Sequence, residues 1–144
     1  MMQGGCFCGA VRYLVTETPF NSTLCHCSMC RRATGAPAVA WFSVKRAGLR
    51  YTMGKPATYH SSPGISRRFC ADCGTQLAFE DERWPDELDI TTASLDDPEL
   101  VPPGDHIFMQ SHVRWLKLAD TLPRYVRTRK EGTLQGSGSV PARD

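Results

Sequence analysis

The chain has 144 residues, 41% of them hydrophobic, and a formal net charge of +2. That is enough for one soluble domain with a real core, and it excludes the strongly basic balance typical of a nucleic-acid-binding domain. The longest apolar stretch, residues 36–42, is interrupted by Pro37 and falls far short of the roughly 20 residues that span a bilayer.

In chain order the pattern is one of short strands separated by turn residues. Residues 10–16 alternate, with Val11, Tyr13 and Val15 on one side and Arg12 and Thr16 on the other, as a half-buried strand should, and only Leu14 breaks the pattern. Segments 38–44, 49–53, 57–60, 66–69, 76–80 and 88–92 read the same way from their β-branched and aromatic content, with Gly-Lys-Pro and Ser-Pro-Gly triplets as turns between them. Helix is sparse: a turn or two after Cys27, a short piece after Pro98, and a segment over 115–122 that Pro123 would end. A mainly β single domain over 1–130 is expected. A flexible tail over 131–144, ending Gly-Ser-Gly-Ser-Val-Pro-Ala-Arg-Asp, should follow it.

All seven cysteines fall into three tight groups: Cys6 and Cys8; Cys25, Cys27 and Cys30; Cys70 and Cys73. Thiolates one or two residues apart can share a tetrahedral zinc at roughly 2.3 Å, whereas a disulfide across a single residue would be strained. The start, Met-Met-Gln-Gly-Gly-Cys, has neither the basic lead nor the apolar core of a secretory signal, so a cytoplasmic location with reduced thiols is expected. Metal binding is then favoured over a disulfide framework or free structural thiols. A redox dithiol at Cys70 and Cys73 lacks the surrounding strand–helix pattern. Seven is odd, which suggests one closed four-cysteine site and one three-thiolate site with a coordination position left open. Cys8 precedes Gly9 and Cys73 precedes Gly74, and glycine there lets the backbone turn its amides toward sulfur; Cys30 precedes Arg31 instead. This groups Cys6, Cys8, Cys70 and Cys73, leaving Cys25, Cys27 and Cys30.

Charge is segregated along the chain. From Thr18 to Ala71 there is no acid but eight bases, Arg31, Arg32, Lys45, Arg46, Arg50, Lys55, Arg67 and Arg68; from Asp72 to Asp105 eleven acids face only Arg83. The two blocks could neutralise each other in the fold, or the basic block could draw an anion to the three-thiolate site.

The segments Gly4-Gly5-Cys6-Phe7-Cys8-Gly9-Ala10-Val11-Arg12-Tyr13, Cys25-His26-Cys27-Ser28-Met29-Cys30-Arg31-Arg32 and Phe69-Cys70-Ala71-Asp72-Cys73-Gly74-Thr75, in that order, resemble the glutathione-dependent formaldehyde-activating enzyme family, which includes centromere protein V. The later His106-Ile107-Phe108 and Leu122-Pro123-Arg124-Tyr125 segments fit the same pattern. The resemblance implies a β-tent fold, a structural zinc on Cys6, Cys8, Cys70 and Cys73, and a catalytic zinc on Cys25, Cys27 and Cys30. It also implies a carbon–sulfur lyase that joins a small-molecule thiol, glutathione, to an aldehyde, formaldehyde, as S-hydroxymethylglutathione. Arg31 and Arg32, next to Cys30, are candidate clamps for the thiol's carboxylates.

Other readings remain. A non-enzymatic zinc module could bind protein or nucleic acid through the basic block and tail, although without residues 124–144 the body has 12 bases against 13 acids. A purely structural protein could close the three-cysteine site with a histidine or a partner's side chain. His26, lying between two ligands, is expected to point away from the metal and to pack or support its neighbours. His60, His106 and His112 each stand alone in sequence, and Trp41, Phe42, Trp84, Phe108 and Trp115 are expected in the core.

Overall fold

A computed structural model describes residues 1–131, and these form two compact units, Met1–Asn21 with Trp41–Pro102, and Ser22–Ala40 with the chain from Pro103 on. Strands dominate the first, as the sequence pattern implies, and no helix among the described residues is long and apolar enough to cross a membrane.

In the first unit, β1 (Met2–Gly5), β2 (Arg12–Val15) and β5 (Leu49–Met53) form an antiparallel sheet in the order β1-β2-β5. Gly4 lies opposite Tyr13, and a side chain there would overlap the Tyr13 ring and the Ser94 carbonyl, so the close approach of β1 requires glycine. A second antiparallel run is ordered β4 (Val39–Lys45), β9 (Glu87–Thr91), β8 (Gln76–Asp81), β7 (Ile65–Phe69), β6 (Ala57–Ser62). Register builds the core: Phe42 faces Ile90, which faces Ala78, and Val44 faces Leu88, all buried. Val11, Tyr13, Val15, Leu77, Leu95 and the sulfurs of Cys6 and Cys70 join the same cluster. Burying a side chain the size of Phe42 or Val44 contributes roughly 1.5–3 kcal/mol each.

The charge blocks meet across these strands. Lys45 pairs with Glu87 at 2.7 Å, and Arg46 and Arg68 both reach Glu80 at 3.0 Å. Neutralisation within the fold therefore accounts for part of the segregation seen in sequence.

The second unit holds β3 (Phe20–Cys25) from Ser22 on, α1 (Ser28–Thr34) and β10 (His106–Ile107). β10 runs parallel to β3, with His106 opposite Leu24 and Ile107 opposite Cys25. On its other side the His106 amide donates to the Pro123 carbonyl and the Tyr125 amide donates back to His106, both at 2.8 Å. The two late segments singled out in the sequence thus lie side by side. α1 is capped by the Cys27 sulfur and ends at Gly35, whose φ of 71° favours glycine.

Two expectations fail. No helix forms over 115–122: the Leu122 amide turns to the Asp120 carboxylate and the Arg124 guanidinium takes the Leu118 carbonyl, replacing helical hydrogen bonds. Trp84 and Trp115 are not core residues but are 57% and 71% exposed, each on a turn between elements. Of the expected tail, Glu131 closes a 3-10 turn, Arg129–Glu131; residues 132–144 lie outside the described residues.

Candidate metal centres

Cys6, Cys8, Cys70 and Cys73 come together in the first unit with all four sulfurs within 4.8 Å of one another. Two matching turns present them. The amide of Cys6 donates to the Val11 carbonyl and Gly9 donates back to Cys6; likewise Cys70 donates to Thr75 and Gly74 donates back to Cys70. Gly9 and Gly74 have φ of 81° and 79°, in the left-handed region, and space is open where a side chain would sit. Conformation alone therefore asks for glycine at these positions.

Cys6 lies 3.5 Å from Cys8, and Cys8 lies 3.8 Å from Cys70. Four sulfurs around a zinc at roughly 2.3 Å would be about 3.8 Å apart, so this cluster has the dimensions of a tetrahedral thiolate site. The surroundings prepare anionic sulfur. The Val11 amide donates to the Cys6 sulfur at 3.2 Å. The Thr75 hydroxyl, 3.2 Å from Cys73, together with the Thr75 and Cys8 amides, holds the Cys73 thiol down to about 6. Cys8 is pushed up to about 12: the Ala10 amide favours its thiolate, but Cys6, burial and the remaining cysteines outweigh that. The four thiols cannot all ionise beside one another without a cation to replace their protons.

In the second unit, Cys25 ends β3, Cys27 caps α1 and Cys30 lies in its first turn. Their sulfurs are again within 4.8 Å of one another and all three residues are buried. No fourth His, Cys, Asp or Glu joins this group among the described residues. The Cys30 amide donates to the Cys27 sulfur at 3.2 Å. Cys25 and Cys30 also donate toward Cys27, bringing its thiol down to about 2, while the Cys25 thiol is pushed up by Cys27, Cys30 and burial. Both clusters could hold a metal ion, and no disulfide joins any of the seven cysteines.

His26, between two of these sulfurs in sequence, is fully buried. Its Nε2 lies 2.9 Å from Nδ1 of the equally buried His106, whose Nε2 lies 3.0 Å from both oxygens of Asp120. Burial, then electrostatic repulsion from His106, His112 and Arg124, bring His26 down to about 4, so its ring is neutral at pH 7. Burial opposes ionisation of Asp120, but His106 and the Leu122 amide hold its carboxyl below the usual range. Sequence reading treated His106 as solitary and passed over Asp120, because neither residue lies near the cysteine motifs. The only sequence signal was the resemblance of the two segments around them.

The remaining candidates make no hydrogen bond to this network among the described residues. His60 faces Ser66 at 3.1 Å on the surface, and His112 reaches the Met109 carbonyl at 2.7 Å. Arg31 is half-buried, with its Nε buried and unpartnered among the described residues, whereas Arg32 is exposed.

Comparison with known proteins agrees with this architecture. A protein of Halomonas elongata, provisionally named a glutathione-dependent formaldehyde-activating enzyme, is 30% identical over 132 residues, covering 82% of this chain and 81% of the relative. The crystal structure of a Rhodobacter sphaeroides protein superposes with a TM-score of 0.57 at 28% identity, over 71% of this chain and 98% of that one. The family profile described as "Glutathione-dependent formaldehyde-activating enzyme" matches residues 1–111. The chain belongs to the glutathione-dependent formaldehyde-activating enzyme family.

Proposed function

We propose that the chain is a zinc-dependent carbon–sulfur lyase that interconverts a small thiol and an aldehyde with their adduct, glutathione and formaldehyde with S-hydroxymethylglutathione being the pair its family suggests. Cys6, Cys8, Cys70 and Cys73 would hold a structural zinc, and Cys25, Cys27 and Cys30 a catalytic one. The observation that carries this reading is the buried three-sulfur cluster, which has no fourth protein donor of its own kind among the described residues and so leaves a position for a substrate.

A zinc bound there supplies Lewis acidity and makes thiolate available at neutral pH, with thiol binding favoured over water activation because three thiolates already donate much charge. The chain's own residues do the rest. Burial of Cys25, Cys27 and Cys30 keeps bulk water from the cluster, and the hydrogen-bonded His26 and His106 fix the loop that carries Cys25 and Cys27. Arg31, with its unpartnered Nε, is better suited than exposed Arg32 to hold a substrate carboxylate. In the synthetic direction the thiol sulfur forms a bond to the carbonyl carbon, the C=O π bond opens and the thiol's proton ends on the oxygen. Nothing is oxidised or reduced.

A cytoplasmic setting suits seven unbridged cysteines. Exchange NMR on glutathione and formaldehyde tests the activity: wild type should exceed the buffer rate, and Cys27→Ser should return to it. Equal rates in wild type, variant and buffer would remove this substrate pair and leave a binding role for the zinc module.

A further inference from the structure

We infer that Asp120 is a positioning residue for the three-cysteine centre, acting through His106 and His26 to hold Cys25 and Cys27 at metal-binding separation, a role that rests on the reading of Cys25, Cys27 and Cys30 as a metal centre. The contacts that carry it lie wholly in the second unit. Both Asp120 carboxylate oxygens stand 3.0 Å from His106 Nε2, and His106 Nδ1 stands 2.9 Å from Nε2 of His26, the residue between Cys25 and Cys27.

Asp120 sets the direction of this chain. A carboxylate only accepts, so His106 donates through Nε2 and accepts through Nδ1, and His26 donates through Nε2. The reverse order would need a proton on His26 Nδ1, which is buried and has no partner among the described residues. Asp120 is exposed, so replacing it opens no cavity in a core, yet the ring it anchors is fully buried.

The backbone makes the same connection. The Leu24 and His26 amides donate to the Asp105 and Ile107 carbonyls at 2.9 and 3.0 Å, which ties the end of β3 to β10. The following amides, of Phe108 and Met109, donate in turn to the Arg127 and Tyr125 carbonyls, and Nη2 of Arg129 reaches the buried Asp105 carboxylate at 3.1 Å. The strand that ends in Cys25 is thus fastened to a segment, residues 120–129, that contributes no sulfur and lies beyond residues 1–111 matched by the family profile.

Three buried thiolates repel one another and stay together only where the backbone holds them. Without Asp120 the buried Nε2–H of His106 loses its acceptor, the ring is free to turn or move its proton, and His26 loses the acceptor that orients it. The Cys25–Cys27 turn then gains freedom that metal binding must remove, so affinity falls. The four-cysteine cluster lies in the first unit with its own donor, the Val11 amide, and shares none of these hydrogen bonds among the described residues.

The test is zinc competition with a chromophoric chelator on the full chain, with Cys27→Ser marking the second-centre step as the one it lacks. Asp120→Ala should weaken that step about 10–100-fold, the range typical of groups that orient metal ligands. The four-cysteine zinc should keep its wild-type affinity, which also shows that the variant is folded. Asp120→Asn, whose amide oxygen still accepts from His106, should stay close to wild type. Glu80→Gln, which removes the shared partner of Arg46 and Arg68 in the first unit, controls for general destabilisation and should leave the second-centre step unmoved. Wild-type affinity in Asp120→Ala, equal weakening of both zincs, Asp120→Asn as weak as Asp120→Ala, or a matching loss in Glu80→Gln would each overturn the role. A wild type without a second-centre step would remove the metal reading, and this role with it, before any Asp120 variant is compared.

Discussion

His26 and His106, 80 residues apart in sequence, face each other ring to ring, with Nε2 of the first 2.9 Å from Nδ1 of the second and both residues fully buried. Because His106 also meets the Asp120 carboxylate through Nε2, which must be its donor, its Nδ1 is the acceptor and His26 must donate through Nε2. Each ring therefore carries a proton on Nε2, and the buried Nδ1 of His26 is left unpartnered among the described residues. Long-range ¹⁵N–¹H correlation at pH 7 should show that tautomer for both. Asp120→Asn, which keeps an acceptor, should preserve it. Asp120→Ala should not, at a stability cost of about 1–2 kcal/mol read from urea midpoints.

Glu80 is the shared partner of Arg46 and Arg68. Burial opposes its ionisation, but the two arginines outweigh burial and hold its carboxyl below the ordinary range. A depressed carboxyl contributes stability that is present above its unfolded pKa and is lost as pH falls through the lower folded value. The wild type should therefore lose stability on acidification below about pH 4.5, near the ordinary glutamate pKa. Glu80→Gln should cost about 1–2 kcal/mol at pH 7. The variant should also show a shallower acid slope when unfolding is followed from pH 7 to 3.

Gly9 and Gly74 occupy equivalent places in the two cysteine turns, at φ of 81° and 79° with no atoms where a Cβ would stand. Alanine at either should cost about 1–2 kcal/mol from the left-handed conformation alone. Gly4→Ala should cost more, because its Cβ would meet the Tyr13 ring and the Ser94 backbone. Urea unfolding of the three variants orders these effects.

What the sequence made legible was whatever rests on local pattern. The seven strands with β-branched or aromatic alternation appear within a residue or two of their expected limits, because their pleat and their burial coincide. β1, β3 and β10 were not anticipated. Met2–Gly5 has two glycines and no β-branched residue, Phe20–Cys25 carries Asn21 at a φ of 51°, and His106–Ile107 is too short for periodicity. Each owes its extended form to a partner strand rather than to its own propensity. The grouping of cysteines was legible from spacing and from the glycines that follow Cys8 and Cys73. The histidine pair was not, since its members are brought together by β10 lying beside β3. Nor was Arg67 distinguishable from Arg68, as strand alternation sends one to Glu80 and the other to the face with Phe79.

Zinc content per chain, measured by elemental analysis on wild type and Cys27→Ser purified with zinc present, addresses the two-centre architecture most directly. The geometry predicts about two ions in wild type, one for each cysteine cluster, and about one in the variant, with the first unit still folded. A single ion in wild type, or two retained by Cys27→Ser, would contradict a metal centre built on Cys25, Cys27 and Cys30.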